Sequence, residues 1–320
     1  MTDPTGYADW RSLELAIKEA AKRAAREAGP GIGAATIDAQ IRQARFDRFL
    51  SRVFADGDQS EWLLKGGMSM LARVPRSRTT KDMDLAALQA GDLAEAERSL
   101  SALVAADLGD HLTFRLTRSE PTGFGDNQPG VATRRLVYAC LDIHTDRQID
   151  AMTVDVVVGP IPVGRPEVIE PANRLHLRRP LVTHPYRLYP TADQIADKVC
   201  ATMDANYPGG KRSSRVKDLV DLVVLAHTQS VHLHELRRAI TAKQSLGGIE
   251  PFGHFEIPTD WIRTYAGTAR GVPIAMSFTA TTAADVVAAL IDPALGESAG
   301  DTAVWDPQEL AWRPAQAPIR

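Results

Sequence analysis

The chain begins with two amphipathic stretches. Residues 9–28 place Trp10, Leu13, Ile17, Ala20, Ala21 and Ala24 along one face, and Gly29-Pro30-Gly31 stops the pattern, which predicts a helix. Residues 36–54 repeat the period, with Ile37, Ile41, Phe49, Leu50 and Val53 inward and Arg42, Arg45, Arg48 and Arg52 on a polar side; Gly57 ends this second helix. The segment Gly31-Ile32-Gly33 between them follows a helix rather than a strand and lacks a third glycine, so it reads as a linker. A short apolar strand at 62–64 then runs into Gly66-Gly67 and a short helix. If Met83 lies in a strand, Asp82 and Asp84 point to one face, because side chains alternate with period 2.

Asp92, with Glu95 three residues on, forms a capping box for a helix ending near Ala105. Strands are predicted at 111–118, 134–143 and 149–158, with a Gly/Pro-rich loop at 120–130 between the first two. The span 161–190 is rich in Pro and Arg and reads as irregular. Thr191 opens a helix, preceded by Pro190 and given a capping box by Gln194, with Ile195, Val199 and Met203 facing the core. A loop at 207–214 leads to a helix at 214–227, where Val216, Leu219, Val220 and Val223 are apolar and Lys217, Asp218 and Asp221 share a polar side. Further helices are predicted at 232–243, 259–269 and 281–291, and the Gly-, Ala-, Pro- and acid-rich tail reads as partly disordered. A helix inserted between strands, then consecutive strands, predicts an α/β (α+β) fold. The expected organisation is N-terminal helices at 1–56, a sheet domain at 57–190, a helical domain at 191–292 and the tail at 293–320.

Composition changes this picture little. With 44% hydrophobic and 24% charged residues the chain falls among ordinary globular proteins, and no apolar run approaches the roughly 20 residues of a membrane helix. The acidic start Met1-Thr2-Asp3-Pro4 has no signal-peptide pattern, so a cytoplasmic protein with no membrane partner is expected. Cys140 and Cys200 stand in apolar surroundings without metal spacing and read as core thiols. Charge is more informative. The net charge of −3 conceals a stretch from Arg174 to Lys217 with nine basic residues against three acids, while the last forty residues hold six acids against two arginines. A local positive field can gather phosphates on a slightly acidic chain.

The candidate chemistry centres on Leu63-Leu64-Lys65-Gly66-Gly67-Met68-Ser69 and Arg78-Thr79-Thr80-Lys81-Asp82-Met83-Asp84. A glycine pair opening a helix leaves backbone N–H groups uncovered and aims the positive end of the helix dipole at an anion. Two adjacent carboxylates need a cation, and oxygen ligands suit Mg²⁺, which commonly also holds substrate phosphates. Asp155 is a lone charge inside the run Val154–Val158, expensive to bury unless paired or coordinated. A triphosphate cradle, two metal-binding acids and a third carboxylate match the needs of nucleotidyl transfer. No Gly-x-x-x-x-Gly-Lys-[Ser/Thr] and no protein-kinase signature set occurs.

These residues resemble a known family. Leu64-Lys65-Gly66-Gly67, followed by Arg78-x-Thr80-Lys81-Asp82-x-Asp84-Leu85, looks like the first motif of the AbiEii/AbiGii nucleotidyltransferase toxins, which include the mycobacterial MenT toxins. Thr191-Ala192-Asp193-Gln194-Ile195-Ala196-Asp197-Lys198 resembles their second motif, and Arg215-Val216-Lys217-Asp218-Leu219-Val220-Asp221-Leu222 their third; the match covers roughly residues 36–230. The resemblance implies a DNA-polymerase-β-like nucleotidyltransferase core followed by a helical domain. It also implies a Mg²⁺- or Mn²⁺-dependent reaction with an NTP, a cognate antitoxin from the same operon, and transfer of nucleotides, often pyrimidines, to the tRNA 3′ end or another RNA.

On that basis Asp82, Asp84 and Asp155 are expected to bind metal, and Lys65, Gly66, Gly67, Ser69 and Arg78 to hold the triphosphate. Lys198 would neutralise phosphate charge, and Asp218 and Asp221 would orient Lys198 or the nucleotide. Arg178, Arg179, Lys211, Arg212 and Arg215 are candidates for the RNA backbone, a contact that weakens with salt. Thr80 precedes the metal acids, and a phosphate on it would add about −2 charge there and block nucleotide entry. Two alternatives stay open: a nucleotidyltransferase acting on a small molecule or a protein, and a non-catalytic nucleotide-binding module.

Overall fold

The structure, a computed structural model, describes residues 6–29, 36–124, 132–159, 161–204, 213–296 and 302–315. Its residues fall into two compact units, one built on the chain up to Leu188 and one on the chain from Tyr189, the latter also taking in Pro162–Arg165.

In the first unit, α1 (Trp10–Ala28) is capped by Asp9, which accepts from the Ser12 N–H at 2.8 Å. Helix α2 (Ile37–Val53) begins at Thr36 and packs on α1. Strand β1 (Trp62–Lys65) leads directly into α3 (Gly66–Arg73), and β2 (Asp82–Ala87) follows. Helix α4 (Leu93–Val104), capped by Asp92, precedes β3 (Leu112–Phe124), β4 (Ala132–Asp142) and β5 (Gln148–Val158). Short strands β6 (Glu167–Ile169) and β7 (Tyr186–Leu188) complete a seven-stranded mixed sheet of order β3-β4-β5-β2-β1-β7-β6. Strands β2 and β5 run parallel, whereas β1 and β2 run antiparallel.

Alternation along the central strands separates two faces. Leu64, Met83, Leu85, Val154 and Val156 join the apolar core with Phe49, Phe114 and Tyr138, whose rings meet edge-on at 5.2 Å. Lys65, Asp82, Asp84 and Asp155 occupy the intervening positions and point away from that core.

Three local expectations change in this unit. Strand β3 continues through Glu120 and Pro121, where a loop was expected. It is an edge strand, and an edge tolerates the absence of an N–H at proline. Within 161–190, the three-residue strands β6 and β7 stand in an otherwise irregular span. Arg48 and Arg52 do not face solvent: they are 2% and 1% exposed, and Asp110 accepts from Arg48 Nε at 2.8 Å and from Arg52 Nη2 at 2.7 Å.

The second unit is mainly helical: α5 (Thr191–Met203), α6 (Val216–Thr228), α7 (Leu233–Gly247), α8 (Trp261–Ala269), the single turn α9 (Pro273–Met276) and α10 (Ala280–Leu295). Helix α5 starts without the expected capping box, because Pro190 is its N-cap and Thr191 its first helical residue. Helix α7 ends at Gly248, whose φ of +61° closes it in the left-handed region. Where composition suggested a partly disordered tail, β8 (Ala303–Asp306) and β9 (Ala311–Pro314) form a hairpin. Trp305 anchors it: the side chain is buried and its indole N–H donates to the Ala226 carbonyl at 2.7 Å. No helix among the described residues is long and apolar enough to cross a membrane.

Candidate active site

The sheet register assembles a row of charge across four strands. Lys65 is the cross-strand neighbour of Asp84, Asp84 of Asp155, and Asp155 of Arg135, so a cation, two carboxylates and a second cation stand in line on one face. Asp82 lies two residues before Asp84 on the same face. Asp155 and Asp84 are brought side by side although 71 residues separate them in the chain.

Asp155 is 3% exposed, and Arg135 holds it in a two-pronged ion pair, Nε to Oδ1 at 2.8 Å and Nη2 to Oδ2 at 2.7 Å. These hydrogen bonds raise the Arg135 pKa against the effect of burial, and the charges of Asp155, Asp82 and Asp84 add to the rise. One guanidinium thus feels all three acids. Asp82 is engaged by Thr80, whose hydroxyl donates to Oδ1 at 2.7 Å. Among the described residues no group of three His, Cys, Asp or Glu side chains is closed up around a metal-sized point. The donor set itself, three carboxylates on one face, is all hard oxygen and fits Mg²⁺ or Mn²⁺.

The diglycine turn is shaped to this row. Gly66 has φ +60°, and a Cβ there would stand 1.8 Å from Asp84 Oδ2; one on Gly67 would stand 2.9 Å from Thr80 Cβ. The start of α3 therefore lies directly against the acids, with its first N–H groups outside the helical ladder. Ser69, expected to touch phosphate, is fully buried within α3. Arg78 is half-buried and donates to the Thr79 carbonyl at 3.1 Å. Lys65 is buried at the end of its strand.

The second unit holds another polar cluster. The Lys198 ammonium on α5 donates to Asp221 Oδ2 at 2.7 Å and to Asp218 Oδ1 at 3.2 Å, both on α6. Arg215 Nε donates to Asp218 Oδ2 at 2.6 Å. Asp218 and Asp221 are each 1% exposed, so they are not the solvated polar side that helical spacing suggested. Their partners reach them from α5 and from the start of α6. Immediately before Lys198 in the chain, Asp197 pairs with Lys243 at 2.7 Å. Asp193 accepts from the Val163 and Gly164 N–H groups, both at 2.9 Å; burial pushes its carboxyl up, and those two hydrogen bonds pull the other way.

The basic stretch is less available than its count implied. Arg174 is committed to Asp47, Glu170 and the His184 carbonyl, Arg187 to the Ser60 carbonyl, and Lys198 and Arg215 to the acids of α6. Arg178 and Arg179 are exposed, although Arg179 also donates to the Gly6 carbonyl at 2.6 Å. Lys211 and Arg212 lie outside the described residues.

The sequence profile of the nucleotidyl transferase AbiEii toxins of type IV toxin–antitoxin systems matches residues 48–274. The chain belongs to this family. It is therefore a nucleotidyltransferase toxin of a type IV system, and the AbiEii chemistry implies a nucleoside triphosphate, a divalent metal and an antitoxin partner. The fold is similar to that of MenT4, nucleotidyltransferase toxin Rv2826c from Mycobacterium tuberculosis H37Rv, with a TM-score of 0.50 and 13% identity over 92% of each chain. JHP933 from Helicobacter pylori is similar at a TM-score of 0.41 and 16% identity, over 79% of this chain and 93% of that one. No curated protein matches the sequence. The AbiEii match contains every acid of both clusters, from Asp82 to Asp221.

Arg135, Thr80 as a partner of Asp82, and Lys243 were not among the expected site residues. Arg135 carries no local signal, because its role depends on which residue of a neighbouring strand it faces.

Proposed function

We propose that this AbiEii protein transfers a nucleoside monophosphate, a pyrimidine nucleotide, from an NTP to the 3′-hydroxyl of a tRNA. What supports the reading is one juxtaposition: Asp84 and Asp155 side by side, with the diglycine start of α3 pressed against Asp84. Asp82, Asp84 and Asp155 would hold Mg²⁺ or Mn²⁺, which when bound supplies Lewis-acid polarisation of the phosphate and acidifies the attacking hydroxyl. The start of α3 at Gly66 and Gly67 presents the positive end of its helix dipole to the triphosphate, and Lys65 and Arg78 add positive charge. On the strength of its motif alone, Lys198 is assigned to the charge of the β- or γ-phosphate; within its own unit Asp218 and Asp221 hold its ammonium. The acceptor oxygen forms a bond to Pα, the bond from Pα to the bridging oxygen breaks, pyrophosphate departs, and a carboxylate accepts the hydroxyl proton.

Arg178 and Arg179 are the described side chains proposed to meet the RNA backbone, with Lys211 and Arg212. Arg215, tied to buried Asp218, is left out of that set. Because several cations of the stretch serve internal pairs, a small-molecule or protein acceptor is kept as the second reading. The deciding experiment incubates the protein with each labelled NTP and total tRNA, and in parallel with aminoglycosides and with protein extract, using Asp84→Asn as the control. Label at tRNA 3′ ends that vanishes in the control is expected. Label on another acceptor alone moves the assignment to that acceptor, and no label anywhere overturns the catalytic reading.

Thr80 is proposed as a place of control. A phosphate there would replace its hydrogen bond to Asp82 with repulsion and crowd Gly67. Intact-mass measurement after co-expression with the antitoxin is expected to show a gain of one phosphate, lost in Thr80→Val.

A further inference from the structure

The reading above asks Asp155 to ligate a metal, yet both of its oxygens are held by Arg135. We propose, resting on that reading, that Arg135 is a positioning residue which stands in for the divalent cation in the metal-free protein and yields Asp155 when the ion is taken up.

Three observations carry this. First, the pair is a two-pronged one between cross-strand neighbours, so the guanidinium occupies the directions from which a metal would approach Asp155. Second, the two partners differ in exposure: the Asp155 side chain is 3% exposed and the Arg135 side chain 40%. A carboxylate so buried beside Asp84 needs a counter-charge, whereas a guanidinium so exposed can turn to water at small cost. The same chemistry elsewhere is built differently. In the Arg48–Asp110–Arg52 cluster every side chain is at most 2% exposed, and that lock has no cation able to leave. Third, the row Lys65–Asp84–Asp155–Arg135, with Asp82 beside it, sets two cations against three acids. A divalent ion entering among the acids makes it cationic, and the outermost, most exposed cation is the one to go.

The competition fixes a sign. A residue that only braced Asp155 would, when removed, weaken metal binding; a surrogate cation, when removed, strengthens it. The test is Mn²⁺ binding without nucleotide, read by electron paramagnetic resonance of the unbound ion, on full-length protein. Arg135→Ala is expected to lower the Mn²⁺ Kd roughly three- to tenfold, the size of a partly exposed ion pair. Arg135→Lys, which keeps charge but loses the fork, is expected to shift it the same way by less, and it carries the test should the alanine variant fold poorly. In an Asp155→Asn background Arg135→Ala should bring no gain; a gain there would mean only a long-range field. Unchanged or weaker binding in the Arg135 variants overturns the proposal. Asp82→Ala separates the two levels. If it binds Mn²⁺ like the wild type, or if the wild type binds none, the metal reading falls and this inference with it. If Asp82→Ala abolishes binding while Arg135→Ala fails to tighten it, only the inference falls.

Discussion

Gly66 and Asp84 touch so closely that no side chain fits between them: a Cβ on Gly66 would stand 1.8 Å from Asp84 Oδ2 and 2.6 Å from its Cγ. The turn from β1 into α3 and the acid on β2 are thus fitted to each other. The positive φ at Gly66 makes the position a double requirement, conformational and steric.

Gly66→Ala separates these two demands. The left-handed backbone alone costs about 1–2 kcal/mol. The collision also pushes Asp84 off its place beside Asp155, so activity is expected to fall far more than stability. Thermal unfolding and nucleotide incorporation on the same preparation check this; a loss of activity no larger than the unfolded fraction would show that the contact with Asp84 is incidental.

Lys198 gives a second contrast. Removing its charge leaves Asp218 and Asp221 buried with one cation fewer, a change that costs about 3–5 kcal/mol in buried pairs. Lys198→Met is therefore expected to lower the unfolding midpoint sharply. Adding Asp221→Asn should recover part of that stability by removing an unpaired acid. If Lys198 also answers phosphate charge, the double variant regains stability and remains inactive; recovery of activity with stability would assign Lys198 a purely structural part.

Much of the fold was legible because periodicity survives burial. The helices from Trp10 to Ala28 and from Leu93 to Val104, and the strands carrying Asp82, Asp84 and Asp155, follow directly from spacing and caps. Partnerships at a distance were not legible. The spacing of Lys217, Asp218 and Asp221 looks the same whether the acids meet water or Lys198, and only Lys217 meets water. Arg48 and Arg52 read as a solvated face because Asp110, 58 residues beyond Arg52, gives no sign that it lies between them. Arg135 was hidden for the same reason: strand register decides its neighbour, and a shift of one residue would have turned it to the other face. The hairpin after α10 was missed because composition outweighed a single tryptophan, Trp305, which supplies the burial.

The two cysteines make a simple check of the packing. Burial pushes both thiols up to about 12, and neither is in a disulfide. Only the thiolate reacts. At neutral pH both Cys140 and Cys200 should stay unmodified by iodoacetamide in the folded protein and react fully in denaturant, as read by peptide mass spectrometry. Rapid labelling of either in native conditions would contradict its burial.

Asp110 yields a pH dependence whose sign is fixed. Burial pushes its carboxyl up, but the hydrogen bonds from Arg52 and the charges of Arg48 and Arg52 outweigh it, and the net effect holds the group below the usual carboxylate range. Its folded pKa is thus depressed relative to the unfolded chain. The stabilisation is present in full above about pH 4, the unfolded value, and is lost as pH falls through the folded pKa. Asp110→Asn leaves the Arg48 and Arg52 guanidinium groups without their shared anion, and at pH 7 it is expected to cost about 3–5 kcal/mol. As pH falls from about 4 down through the depressed folded pKa, the wild type progressively loses the benefit of that anion, so the gap between the two proteins should narrow. Urea unfolding of both at pH 7 and at steps into acid measures it. A gap that stays constant to the lowest pH would mean that the arginines are held by their carbonyl partners, Val182, Ala106 and Leu112, rather than by the charge of Asp110.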